Sequence, residues 1–141
     1  PRKLAEISRV ADAIGETLLP GAAEMQFERY VALNSEFHRQ LAGLCGSEII
    51  RREIERATRL PFASPSAFLE TQEKVLAFRR SLGVAQAQHV AIVNAIELRE
   101  GSRAEAIARE HARHARLNLD YVLEKDRSLI GRIPALSMVA P

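Results

Sequence analysis

The stretch 88-QHVAIVNAIELREGSRAEAIAREH-111 carries most of what the chain says about its fold. His89, Ile92, Val93 and Ile96 recur at helical spacing and share one face. Gly101 is expected to end that helix. Ser102-Arg103-Ala104-Glu105 then has the form of a capping box, a serine at the cap with a glutamate three residues on. A second helix is predicted from Arg103 to about Arg127, with Ala104, Ile107, Ala108, His111, Ala115, Asn118, Leu119 and Val122 inward. His89 lies about 12 residues before the Gly101 turn and His111 about 10 after it. At about 1.5 Å per residue, the two stand at similar heights in an antiparallel hairpin.

The rest of the chain reads in the same helical period. A helix over Arg2 to Leu19 carries Leu4, Ile7, Val10, Ala11, Ile14 and Leu18 on one stripe, and Pro20-Gly21 stops it. A longer one, from about Ala22 to Leu44, carries Phe27, Tyr30, Val31, Asn34, Phe37, His38, Leu41 and Cys45 along its inner side. Gly46 ends it, and Ser47 is a plausible N-cap for a third helix with Ile50, Ile54, Ala57 and Leu60 inward, closed by Pro61. Ser64-Pro65 is expected to open a fourth helix to about Leu82, with Gly83 marking a break before the hairpin. The segment from Gly131 to Pro141 has no periodicity and is expected to be a loosely attached tail. The fold class is therefore all-α, an antiparallel helical bundle of about six helices, with residues 1–130 as the domain and 131–141 as the tail.

Composition agrees. The 141 residues are 47% hydrophobic and only 5% aromatic, with no Trp, a mixture that favours packed helices over sheets. The net charge is +2, and Arg and Glu are interleaved, which reads as a solvated, salt-bridged helix surface rather than a nucleic-acid footprint. No apolar run reaches the roughly 20 residues a membrane span needs, and no signal peptide is visible. A single cysteine, Cys45, excludes an intrachain disulfide and is compatible with a reducing compartment; it is expected to be a buried small hydrophobe. The opening Pro1-Arg2-Lys3, without an initiator Met, reads as the start of a fragment with an upstream domain possible.

Three of the four histidines, His38, His89 and His111, thus fall on the apolar faces of three different helices. Imidazoles are poor core filler unless their nitrogens have partners. Asn34 lies one turn before His38, with Cβ atoms roughly 5–6 Å apart, so the two can chelate one cation. Three imidazoles and an oxygen donor suit a borderline divalent ion such as zinc or nickel. His114 follows His111 by one turn, rotated towards the rim. Hydrolysis at such a site also wants a general base beside the water. Glu36 and Glu110 point away from the inner faces, which favours sensing over catalysis. A metal-dependent hydrolase using the same histidines, and a metal-free module with histidines in its core, remain the competing readings. There is no Gly-rich phosphate loop, nucleophile elbow, H-E-x-x-H or Cys-rich zinc pattern.

Asn34-Ser-Glu-Phe37-His38-Arg-Gln-Leu41 resembles the D-x-x-F-H-x-x-L segment of the FCD domain, the effector-binding half of FadR-type GntR transcriptional regulators. Gln88-His89-Val-Ala-Ile92-Val93-Asn-Ala95-Ile96 is similar to that family's H-x-x-I-x-x-A-I helix. Ala104-Glu105 through His111 is similar to its closing A-E-x-x-x-x-x-H segment. The resemblance runs from Leu4 to about Leu123. It implies a regulatory rather than enzymatic domain that binds a divalent metal through one acidic residue and three histidines, here Asn34, His38, His89 and His111. It further implies a small carboxylate effector beside the metal, a homodimer in the cytoplasm, and operator DNA bound through a winged helix-turn-helix domain upstream. Two departures stand out: the family's usual aspartate is Asn34, and the chain reads as starting after the family's first effector-domain helix, which often supplies an arginine. Asn118, His114, Arg79 and Arg116, with Arg99, are the candidate effector contacts.

Overall fold

The computed structural model describes residues 2–21, 23–60 and 76–124, with the backbone alone at 77–78 and 118–124. The described residues form five helices and no strand: α1 (Arg2–Leu18), α2 (Phe27–Gly43), α3 (Glu48–Thr58), α4 (Leu76–Glu97) and α5 (Gly101–Glu124). The expected all-α class is what the chain adopts. Helix α1 packs on both α2 and α4, α5 packs on α4, and α3 rests against α2. No helix among the described residues is long and apolar enough to cross a membrane.

The core grows from the α1 stripe. Ile7, Ala11 and Ile14 recur at helical spacing and are buried against Tyr30 and Phe37 of α2 and Leu82 and Val93 of α4, with Met25 from the α1–α2 turn. Thr17, also buried, donates from Oγ1 to the Ile14 carbonyl at 2.7 Å, so its hydroxyl adds no unpaired donor to the core. The outer faces carry the interleaved charges as i,i+3 and i,i+4 pairs, among them Arg39–Glu36, Arg51–Glu48 and Arg109–Glu105. Such exposed pairs contribute little to stability, because water screens them.

Several boundaries differ from the sequence reading. Helix α2 starts at Phe27, not near Ala22, because the chain first turns through Gly21 at φ +93°, with Gln26 N–H donating to the Thr17 carbonyl at 3.2 Å. It ends at Gly43, so Cys45 falls in the following turn and is exposed, not buried. The third helix has its expected cap, Ile50 N–H donating to Ser47 Oγ at 3.4 Å, but it buries no residue; Ile50 and Ile54 line a groove instead. The expected break at Gly83 does not occur, since α4 runs through it. One interior glycine weakens a helix by only about 1 kcal/mol, which packing of the flanking Leu82 and Ala85 outweighs. Most of the fourth predicted helix, the tail and the end of the last helix lie outside the described residues.

The α4–α5 turn is built differently from the expected capping box. Arg99, not Gly101, takes the left-handed conformation, at φ 58°. Glu100 N–H donates to the Ala95 carbonyl at 2.8 Å and Arg99 N–H to the Ile96 carbonyl at 3.0 Å, a Schellman closure that satisfies two terminal carbonyls. Glu100 then serves as N-cap, its carbonyl accepting from Ala104 N–H at 2.9 Å. Glu105 reaches forward to Arg109 at 2.7 Å and not back towards Ser102. The hairpin nevertheless brings His89 and His111 to matched heights.

Candidate metal centre

His38 comes from α2, His89 from α4 and His111 from α5, and the packing of these helices brings the three rings together. Their centroids are 5.3 Å apart for His38 and His89, 5.3 Å for His38 and His111, and 4.6 Å for His89 and His111. One ligand atom from each lies within 4.8 Å of the other two. His89 is fully buried, while His38 and His111 are half-buried. Phe37, locked in the α1–α2 core, packs its ring 4.4 Å from His89 and edge-on at 5.4 Å from His38. Being one residue along a helix from Phe37, His38 turns away from the core towards the α2–α3 groove.

The electrostatics keep all three rings neutral. Burial, followed by the neighbouring His111, pushes His38 down to about 4. Burial, then His111 and His38, holds His89 at about 2. Burial, with a smaller effect of His114, lowers His111 to about 4. A neutral imidazole is the form that ligates a metal. His38 Nε2 and His89 Nε2 are buried with no hydrogen-bond partner. Donors bound at about 2.0–2.1 Å to one ion stand roughly 3.0–3.5 Å apart. Orphaned nitrogens in a converging, neutral, soft-to-borderline donor set fit a divalent cation of the zinc or nickel kind.

Around this centre the other predicted residues divide. Asn34 is buried on α2, one turn before His38. His114 donates from Nε2 to the Ser81 carbonyl at 3.1 Å, which ties it to the α4 backbone. Arg79 donates to the Ala23 carbonyl at 3.0 Å and lies 5.8 Å over the Phe27 ring. Arg116 and Arg99 are exposed. The Asn118 side chain lies outside the described residues. A groove of about 460 Å³ between α2 and α3 is lined by Ser35, His38, Leu41, Cys45, Ile50 and Ile54 among others, but by none of His114, Arg79, Arg99 or Arg116.

No carboxylate joins the histidine cluster among the described residues. Glu36 is taken by Arg39 and Gln40, and Glu110 faces Arg113. Two glutamines that the sequence reading passed over touch the rings: Gln86 Oε1 lies 3.2 Å from His89 Nδ1, and Gln88 Oε1 lies 3.1 Å from His111 Nδ1. The i,i+3 spacing of Gln86 and His89 was the available signal for the first. The second crosses between helices and leaves no mark in the local sequence.

The FCD domain family matches residues 1–114, most of the chain, including all three histidines of the cluster. The chain belongs to the FCD domain family, whose members are regulatory effector-binding domains. No curated protein sequence matches it.

Proposed function

We propose that this chain is the metal-dependent sensory domain of a GntR-type transcriptional regulator that responds to a small organic acid. The observation that carries the reading is the convergence of three neutral imidazoles from three helices, two of them with buried, unpartnered Nε2 atoms. His38, His89 and His111 would hold the cation, zinc or nickel, with the Asn34 amide oxygen as fourth donor. When bound, the cation supplies a positive centre that attracts a carboxylate. The protein's own residues do the rest. Phe37 and the α1 stripe keep water from the inner side of the site, and the α2–α3 groove leaves His38 as its approachable edge. Asn118, His114 and Arg116 of α5 and Arg79 of α4 are the proposed effector contacts, reached from the α4–α5 side and not through that groove.

An effector that touches α2, α4 and α5 together biases their packing. In a homodimer carrying winged helix-turn-helix domains upstream, that bias would alter operator affinity, and operator would alter effector affinity by the same factor. The cytoplasm is the compartment this role requires. A hydrolase reading lacks a general base at the triad among the described residues.

Thermal unfolding in the presence of a panel of sugar acids, hydroxy acids and aromatic acids, each with and without zinc or nickel, tests the reading. A true effector stabilises by mass action, about 2.7 kcal/mol at a hundredfold excess over its Kd. The expected result is an acid whose stabilisation needs the metal. Equal stabilisation with and without metal by every active acid would contradict it.

A further inference from the structure

Gln86 sits between α1 and the histidine cluster, and the chemistry of its two contacts fixes which way it faces. Its Nε2 donates to the Ala11 carbonyl of α1 at 2.6 Å. A carbonyl oxygen can only accept, so the amide nitrogen is the end that points to α1 and Oε1 is the end that points to His89 Nδ1, at 3.2 Å. Oε1 can also only accept, so the proton of the His89 ring belongs on Nδ1. In a neutral imidazole the other nitrogen then keeps its lone pair. That other nitrogen is the buried, unpartnered His89 Nε2; with Nδ1 held by Gln86, it is the ring nitrogen left to join His38 and His111, which cluster with His89.

We propose that Gln86 is the positioning residue of this centre: bridging the Ala11 carbonyl and His89 Nδ1, it holds His89 in the Nδ1–H tautomer and aims the Nε2 lone pair at the shared ligand position. The relay also ties the centre to α1. Ala11 belongs to the buried Ile7–Ala11–Ile14 stripe of the core, so the rotation of the His89 ring is referenced to that core. Without an acceptor at Nδ1, a neutral histidine side chain favours the proton on Nε2, and ligation through Nε2 then costs a change of tautomer. A carboxylate at position 86 would still accept from Nδ1 but could not donate to Ala11. An apolar side chain of the same length would do neither. Partners of this kind on metal-binding histidines typically change metal affinity by about 10–100-fold.

The proposal rests on the metal reading, and two readouts separate the two claims. Long-range ¹H–¹⁵N correlation spectra of the metal-free chain at neutral pH report the tautomer of His89 with no metal needed. Calorimetric titration with zinc or nickel reports affinity. Wild type is expected to show His89 protonated on Nδ1. Gln86→Met, which keeps the side-chain length, is expected to move the proton to Nε2 and weaken metal binding about 10–100-fold, with the helical spectrum unchanged. Gln86→Glu is expected to restore the tautomer and most of the affinity. A wild-type His89 protonated on Nε2, or a Gln86→Met variant that keeps both tautomer and affinity, would overturn the role of Gln86. A wild-type chain that binds neither cation would overturn the metal reading instead, and the tautomer of His89 in Gln86→Met then decides the role of Gln86 by itself.

Discussion

On one flank of α2 lies α1, which buries Ile7, Ala11, Ile14 and Thr17; on the other lies α3, which buries nothing and leaves Ile54 39% exposed. Both helices are amphipathic at the same period, so pattern alone does not separate them. The difference is what each meets. The α1 stripe faces two helices at once, α2 and α4, while α3 rests against α2 across an open groove. The histidine centre sits at the border between the two environments. His89 belongs to the dense side, where Phe37 and Gln86 hold it, and His38 belongs to the open side. A sensory site needs both: a rigid wall that sets ligand geometry and an edge that something small can reach.

The largest expected effect breaks or upholds that contrast. Ile14→Ala should cost about 2–5 kcal/mol in chemical denaturation, because the cavity opens in a fully buried layer. Ile54→Ala should stay within about 0.5 kcal/mol. Equal costs would mean that the groove flank is as tightly packed as the core.

Acid should act on the border itself. The folded-state values of His38 and His111, about 4, and of His89, about 2, lie below the ordinary 6.5, so the unfolded chain takes up protons first. The stability these neutral rings contribute is complete above about pH 6.5 and is lost as pH falls from there through 4. A loss on the order of 2 kcal/mol for each buried ring by pH 5 is expected in urea titrations of metal-free protein. A pH-independent midpoint between 7 and 5 would show that the rings are not buried as described.

Asn34 tests the oxygen side of the centre. Asn34→Asp should tighten zinc or nickel by about tenfold, about 1.4 kcal/mol, because a carboxylate adds charge to the donor set. The same substitution should destabilise the metal-free protein, since it places a carboxyl at a site only 3% exposed. Unchanged affinity would remove Asn34 from the ligand set.

Smaller effects belong to the hairpin. Arg99 occupies a left-handed position better suited to glycine, and Arg99→Gly should stabilise by about 1 kcal/mol. Gly83→Ala should add about 0.5–1 kcal/mol, since a Cβ there meets open space. Thermal unfolding checks both, and a loss at Gly83 would mean that its outward face is covered.

The histidine cluster was legible in the sequence because its cause is periodic. His38, His89 and His111 each sit in a run of apolar residues at helical spacing, and a short turn fixes the relative height of two of them. The details that failed are those where a residue type has two uses. Gly83 reads as a stop but lies inside α4; Gly101 reads as a terminator, yet Arg99 makes the left-handed turn and Gly101 opens α5. Ile50 and Ile54 read as core, but no third surface covers them among the described residues. The sequence carries no sign of the Gln86 contact with the Ala11 carbonyl or of the Gln88 contact with His111, because those partners come from other helices.

The central claim is that three helices build a metal centre, and metal content measures it most directly. Purified chain loaded with zinc or nickel and desalted is expected to retain about one equivalent of metal per chain, with His114→Ala retaining it and His38→Ala, His89→Ala and His111→Ala each losing it. Less than about a tenth of an equivalent in the wild type, with the chain folded, would contradict the account.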